Sequence, residues 1–137
     1  GFRIFSLLWP GSIANAKQQA AFFVSAISKY PYTCLPVVDV EESNGWSAGA
    51  VTAAVEAFRD EVKAETGLTC MIYVSAGQID RYFDTLPADA PLWIADYSSS
   101  FVDGPRSISA LGWSKPSLWV LCGSTPMMRR GPVSQGE

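Results

Sequence analysis

Short apolar runs and amphipathic helical stretches take turns along this chain, and that alternation restricts its fold more than any single residue does. Ser12 can cap a helix in which Ile13, Ala16, Ala20, Phe23, Val24 and Ile27 recur at spacings of three and four. Lys17, Gln18 and Lys29 fall off that stripe, and Pro31 closes the helical region. Leu35 to Val40 follows, apolar on both faces, as a parallel strand covered by helices reads. A second helix is predicted from Ser47. It buries Val51, Ala54, Val55, Phe58 and Val62, turns Glu56, Arg59, Asp60, Lys63 and Glu65 to solvent, and stops at Gly67. Cys70 to Ser75 is another strand of buried type. A shorter helix then puts Ile79, Tyr82, Phe83 and Leu86 on one side, and Leu92 to Ala95 makes a further strand. With an opening strand from Phe2, the pattern is α/β and implies mostly parallel strands with right-handed crossovers, either open or closed as a barrel.

After Tyr97 the pattern dissolves. Residues 98–116 are rich in Ser, Gly and Pro and read as loop, Ser117 to Cys122 can form one last strand, and 123–137 is expected to be an irregular tail. The 137 residues carry no repeat or interdomain linker and are expected to form one domain. Because the first strand opens at residue 2, the chain is expected to start inside a larger domain and to be incomplete.

Composition removes several classes of function. A formal net charge of -3 provides no basic field for nucleic acid or an anionic membrane surface, so neither is expected as a partner. There is no apolar run of membrane-spanning length, and GFRIFSLLWPGS lacks the features of a signal peptide. The chain has no histidine, which excludes Ser-His-Asp and Cys-His devices and the common His-containing zinc sites within it. Acid/base chemistry therefore falls to carboxylates, Tyr, Lys or Cys. Cys34, Cys70 and Cys122 are too scattered for a disulfide framework or a metal site and read as small buried residues. A Cys34–Cys70 pair is conceivable if the two strands that follow them are parallel neighbours. No metal and no cofactor are expected.

The stretch LPVVDVEE carries the chemistry. Asp39 and Glu41 stand two apart at the carboxyl end of a buried strand, so they share a face, about 6 to 7 Å apart along the chain. Sites in parallel α/β sheets gather at that end. Two carboxylates so close raise each other's cost of ionisation, and the more buried one is biased toward holding a proton. The pattern alone leaves two readings open. The pair is an acid and its partner, or Asp39 caps the following loop while Glu41 and Glu42 mark the strand's exit into solvent. The other strand ends add Tyr73 and Ser75, and Trp93, Asp96 and Tyr97 in PLWIADY. Aromatic rings and acceptors around a carboxylate pair suit a saccharide.

Together, LPVVDVEE, the helix ending in FRDEVKAETG, MIYVS and LWIADY resemble glycoside hydrolase family 25, the lysozyme-type N-acetylmuramidases of bacteria and phages. The similarity runs from about Gly11, through the AKQQAAFF helix, to Tyr97. The resemblance implies an irregular TIM-like (β/α) barrel, here partial, and hydrolysis of the β-1,4 bond between N-acetylmuramic acid and N-acetylglucosamine in peptidoglycan. It implies Glu41 as general acid and Asp39 as its ionised partner, with Tyr73, Trp93 and Tyr97 lining the saccharide groove. It further implies retention of configuration, with the aspartate or the substrate's acetamido group as internal nucleophile. An extracellular or cell-wall location and a peptidoglycan glycan strand as partner follow from it. The chain departs from the family pattern where Arg3 and Ile4 precede Phe5, and where SLWVLCGS stands near the end. A non-catalytic glycan binder and an open doubly wound nucleotide- or phosphate-binding domain are the alternatives. Exposed strand edges are expected to permit self-association.

Overall fold

The computed structural model describes residues 5–87, 89–96, 118–122 and 128–130. In chain order the elements are β1 (Phe5–Leu7), α1 (Ile13–Ile27), β2 (Val37–Val40), α2 (Ala48–Thr66) and β3 (Met71–Ser75). A 3-10 turn over Ala76–Gln78 leads into α3 (Ile79–Tyr82), followed by β4 (Leu92–Asp96), β5 (Leu118–Cys122) and β6 (Met128–Arg130).

The helices start and stop where local chemistry directs. Ser12 and Ser47 are extended, and their hydroxyls accept from the amides of Asn15 and Ala50 at 3.1 and 3.2 Å, satisfying donors that a first turn leaves open. Gly67 ends α2 in the left-handed conformation, φ 75°, with its amide bonded to the Lys63 carbonyl at 2.8 Å. The third helix is shorter than its apolar spacing predicts. The chain turns extended at Phe83, yet Phe83 and Leu86 remain buried, packed from outside the helix. The second strand starts at Val37 rather than Leu35, because Pro36 has no amide to give a ladder.

The strands form one six-stranded sheet in the order β1-β2-β3-β4-β5-β6. Neighbours from β1 to β5 are parallel, and β6 returns antiparallel to β5. Met128–Arg130 therefore corrects the expectation of an irregular tail across 123–137. Each parallel strand is hydrogen-bonded to the next in sequence, so the order never reverses. That excludes, among the described strands, the switch point of a doubly wound nucleotide-binding sheet. The sheet is open, so the closed barrel among the expected architectures is not what these strands make. The loop expected over 98–116 lies outside the described residues.

Right-handed crossovers between adjacent strands bring successive helices to one face of such a sheet. Val38, Val40, Ile72, Val74, Leu92 and Ile94 point to that face and are fully buried. They form one core with Ala20, Phe23, Val24 and Ile27 of α1 and Val51, Val55, Phe58 and Val62 of α2. The Phe23 and Phe58 rings stack across the two helices with centroids 5.9 Å apart. Arg59, assigned to the solvated face by helical period, is only 8% exposed. Its Nε donates to the Cys70 carbonyl at 2.9 Å and its guanidinium lies 3.7 Å from Asp89, so it pins α2 to the entry of β3.

Both cysteines with described side chains are free, Cys34 exposed and Cys70 buried, which corrects the conceivable Cys34–Cys70 pair and the reading of Cys34 as a buried residue. The register explains it. Asp39 pairs with Tyr73, not Ser75, so the two cysteines are offset by two residues along their strands. No described helix is long and apolar enough to cross a membrane.

Candidate active site

The pleat sends alternate residues of each strand away from the helices, and the register assembles them into rows. Leu7 pairs with Asp39, Asp39 with Tyr73, and Tyr73 with Trp93. One step toward the amino end, Phe5 pairs with Val37. Phe5, Val37, Asp39, Glu41, Tyr73 and Trp93 line a single open cavity of about 230 Å³. Four of the residues expected from sequence are thus brought together: Asp39, Glu41, Tyr73 and Trp93. Ser75 lies two residues beyond Tyr73, pairs with Ala95, and does not line the cavity. Asp96 ends β4, with its backbone in register with Leu121. Its side chain and all of Tyr97 lie outside the described residues.

The two carboxylates differ in setting. Asp39 is 9% exposed, whereas Glu41, just past the end of β2, is open to solvent. Burial, then the charge of Glu41 and a side-chain hydrogen bond with it, push the Asp39 carboxyl from 3.8 up to about 7. The sequence expectation made Asp39 the ionised partner. In the unliganded chain burial favours a proton on Asp39 instead, because Asp39 is the inner member of the pair.

Two buried polar atoms in this cavity have no hydrogen-bond partner among the described residues: Asp39 Oδ1 and the indole Nε1 of Trp93. An orphaned buried group costs about 1 to 3 kcal/mol, so such atoms call for an explanation. Here one is an acceptor and the other a donor, and both belong to residues that line the cavity. The Tyr73 ring meets the Trp93 ring edge to face, centroids 5.0 Å apart and planes at 84°, which fixes the wall beside Asp39.

Side chains whose hydrogen bonds periodicity does not reveal hold Glu41 and the loop after it in place. The Tyr82 hydroxyl donates to the Glu41 carbonyl at 2.8 Å, tying α3 to the end of β2. Burial, then the charge of Glu42, pushes that hydroxyl's pKa up, so it stays protonated as a donor. Glu42, a bystander by sequence pattern, accepts from the amides of Ser43 and Asn44 at 2.9 and 3.0 Å and folds the loop that follows. Asn44 is left-handed, φ 52°, and its amide side chain donates to the Pro10 carbonyl at 2.9 Å, joining the loops after β1 and β2. Among the described residues no group of three or more Cys, Asp or Glu side chains is arranged to hold a metal ion.

The sequence model of the glycosyl hydrolases family 25 matches residues 3–120. The chain belongs to glycosyl hydrolases family 25. Solved structures share its architecture. The family 25 chain aligns with the spore cortex lytic enzyme SleM of Clostridium perfringens at 21% identity and a TM-score of 0.77, covering 94% of this chain and 48% of that one. The catalytic domain of endolysin ply40, from bacteriophage P40 of Listeria monocytogenes, aligns at 20% identity and a TM-score of 0.64, covering 92% and 62%. The CTP1L endolysin aligns at 26% identity and a TM-score of 0.63, covering 88% and 40%. The family 25 chain thus spans roughly half the length of the structures it resembles. No curated protein sequence matches it.

Proposed function

We propose that this chain carries the acid/base centre of a peptidoglycan hydrolase that cleaves the β-1,4 bond between N-acetylmuramic acid and N-acetylglucosamine at the cell wall. The observation that supports this most is the carboxylate pair. Asp39 and Glu41 share one face at the carboxyl end of β2, inside an open cavity walled by Tyr73 and Trp93. Family membership gives the reaction class.

Glu41, the outer and solvent-exposed member, donates a proton to the glycosidic oxygen as the bond to the anomeric carbon breaks; it is the proton that Asp39 holds in the resting pair, passed to Glu41 across their hydrogen bond. Both carboxylates are then charged, the state their mutual repulsion disfavours. The positive charge that develops on the sugar ring relieves it, so the pair is better matched to the transition state than to the ground state. Glu41, deprotonated by the first step, then takes a proton from the attacking water, and the product is a hemiacetal at the new reducing end.

A turbidity assay on bacterial cell walls tests the reading. Clearing by the parent chain that Glu41→Gln abolishes supports it. Binding to walls with no clearing, unchanged by Glu41→Gln, favours the non-catalytic glycan binder and defeats it.

A further inference from the structure

Trp9 lies outside the cavity lining, two residues past Leu7 in the segment leaving β1. Leu7 pairs with Asp39, and the ladder continues one step, the Leu8 amide donating to the Asp39 carbonyl at 3.0 Å. Extended by two residues past Leu7 and Asp39, that register matches Trp9 with Glu41, one residue beyond the last bond between the two segments. Alternation agrees. Leu8, like Val40, is fully buried against the helices, which turns Trp9 to the face of Asp39 and Glu41. There its side chain is 55% exposed.

So large an exposed ring sits on an unusually well-held backbone. Gln19 of α1 grips the peptide groups on both sides of Trp9. Its Oε1 accepts from the Trp9 amide at 3.0 Å, and its Nε2 donates to the Trp9 carbonyl at 2.7 Å. The same Nε2 donates to Asn15 Oδ1 at 2.7 Å, which fixes the orientation of the grip. The next residue, Pro10, receives the bond from Asn44 in the loop after Glu41. That second loop carries another exposed indole, Trp46, at 45%. A backbone held in this way fixes the point from which the indole projects, so less conformational freedom is lost when a ligand settles on the ring.

We propose that Trp9 is a saccharide-binding residue of a subsite flanking Glu41, on which the C–H face of a glycan sugar ring next to the scissile bond stacks. Gln19 is the positioning residue that holds it. This deepens the glycan-hydrolase reading and rests on it. The apolar indole face matches the C–H face of a pyranose, and the register that carries Trp9 toward Glu41 points to the glycan strand of the adjoining cavity as occupant.

The test uses the Glu41→Gln chain, so that binding is read without hydrolysis, titrated calorimetrically with a soluble tetrasaccharide of alternating N-acetylglucosamine and N-acetylmuramic acid. Trp9→Ala is expected to weaken binding about tenfold, while Trp9→Phe, which keeps an aromatic face, restores most of it. Gln19→Ala is expected to weaken binding in the presence of Trp9 and to have no further effect in the Trp9→Ala background. A purely structural role for Gln19 would instead add to the Trp9→Ala loss. Binding by Trp9→Ala within twofold of the background, alongside a clear loss in Tyr73→Ala, overturns the subsite and leaves the hydrolase reading standing. No binding by the background, with no wall clearing by the unsubstituted chain, defeats both.

Discussion

Replacing Asp39 by asparagine is expected to stabilise the fold, and the gain is expected to depend on pH in a way that no packing effect would reproduce. The carboxyl is nearly isosteric with the amide, so shape is kept and only the ionisable proton is removed. In the folded chain burial and Glu41 hold the Asp39 carboxyl at about 7, against 3.8 for the free group. Between those two values the unfolded chain has released a proton that the folded chain retains, so stability falls as pH rises. Below about 3.8 both states are protonated and there is no penalty; above about 7 both are ionised and the penalty is complete. At about 1.4 kcal/mol for each pH unit, the full effect reaches about 4 kcal/mol. Water in the open cavity screens part of the Glu41 contribution, so the expected gain is about 2 to 4 kcal/mol at pH 8. At pH 4 it is expected to be under about 0.5 kcal/mol. Urea unfolding of parent and Asp39→Asn at pH 4, 6 and 8 measures it. A gain equal at all three pH values, or a loss at pH 8, refutes the reasoning.

The same proton sets the activity profile: wall clearing is expected to fall as pH rises through about 7, where the pair loses the proton it must donate. Initial clearing rates from pH 5 to 9 check this, and a flat profile across neutrality contradicts it. Tyr82→Phe removes the bond to the Glu41 carbonyl. It is expected to cost about 1 kcal/mol in urea unfolding and to lower kcat more than it raises KM. Gly67→Ala is expected to cost about 1 kcal/mol in the same unfolding experiment. A methyl there meets nothing within 4 Å, so the left-handed backbone, φ 75°, is the whole cause.

The face that carries the carboxylate pair was legible in the sequence for a specific reason. A strand buried on both sides has a near-continuous apolar run, so LPVV marked β2, and the two-residue period then put Asp39 and Glu41 on one face. Helix caps at Ser12, Ser47 and Gly67 were equally local and equally readable. What the pattern of one element cannot carry is its relation to others. The register that pairs Asp39 with Tyr73, and so separates Cys34 from Cys70, depends on the lengths of two crossovers. Arg59 reads as surface by period, and only its reach to the Cys70 carbonyl buries it. Tyr82 meets Glu41 across 41 positions of chain. Trp9 falls beyond the end of its strand, so its face is set by the Leu8–Asp39 bond and the burial of Leu8, neither of which the sequence displays. Which carboxylate holds the proton was also out of reach, because that depends on how deeply each side chain sits.

The most direct test of the central claim is to digest purified peptidoglycan with the chain, reduce the soluble products with borohydride, and identify the new ends by mass spectrometry. The account requires reduced N-acetylmuramic acid ends from the parent chain and none above background from Glu41→Gln. Reduced N-acetylglucosamine ends, or muramic acid ends released equally by Glu41→Gln, contradict it.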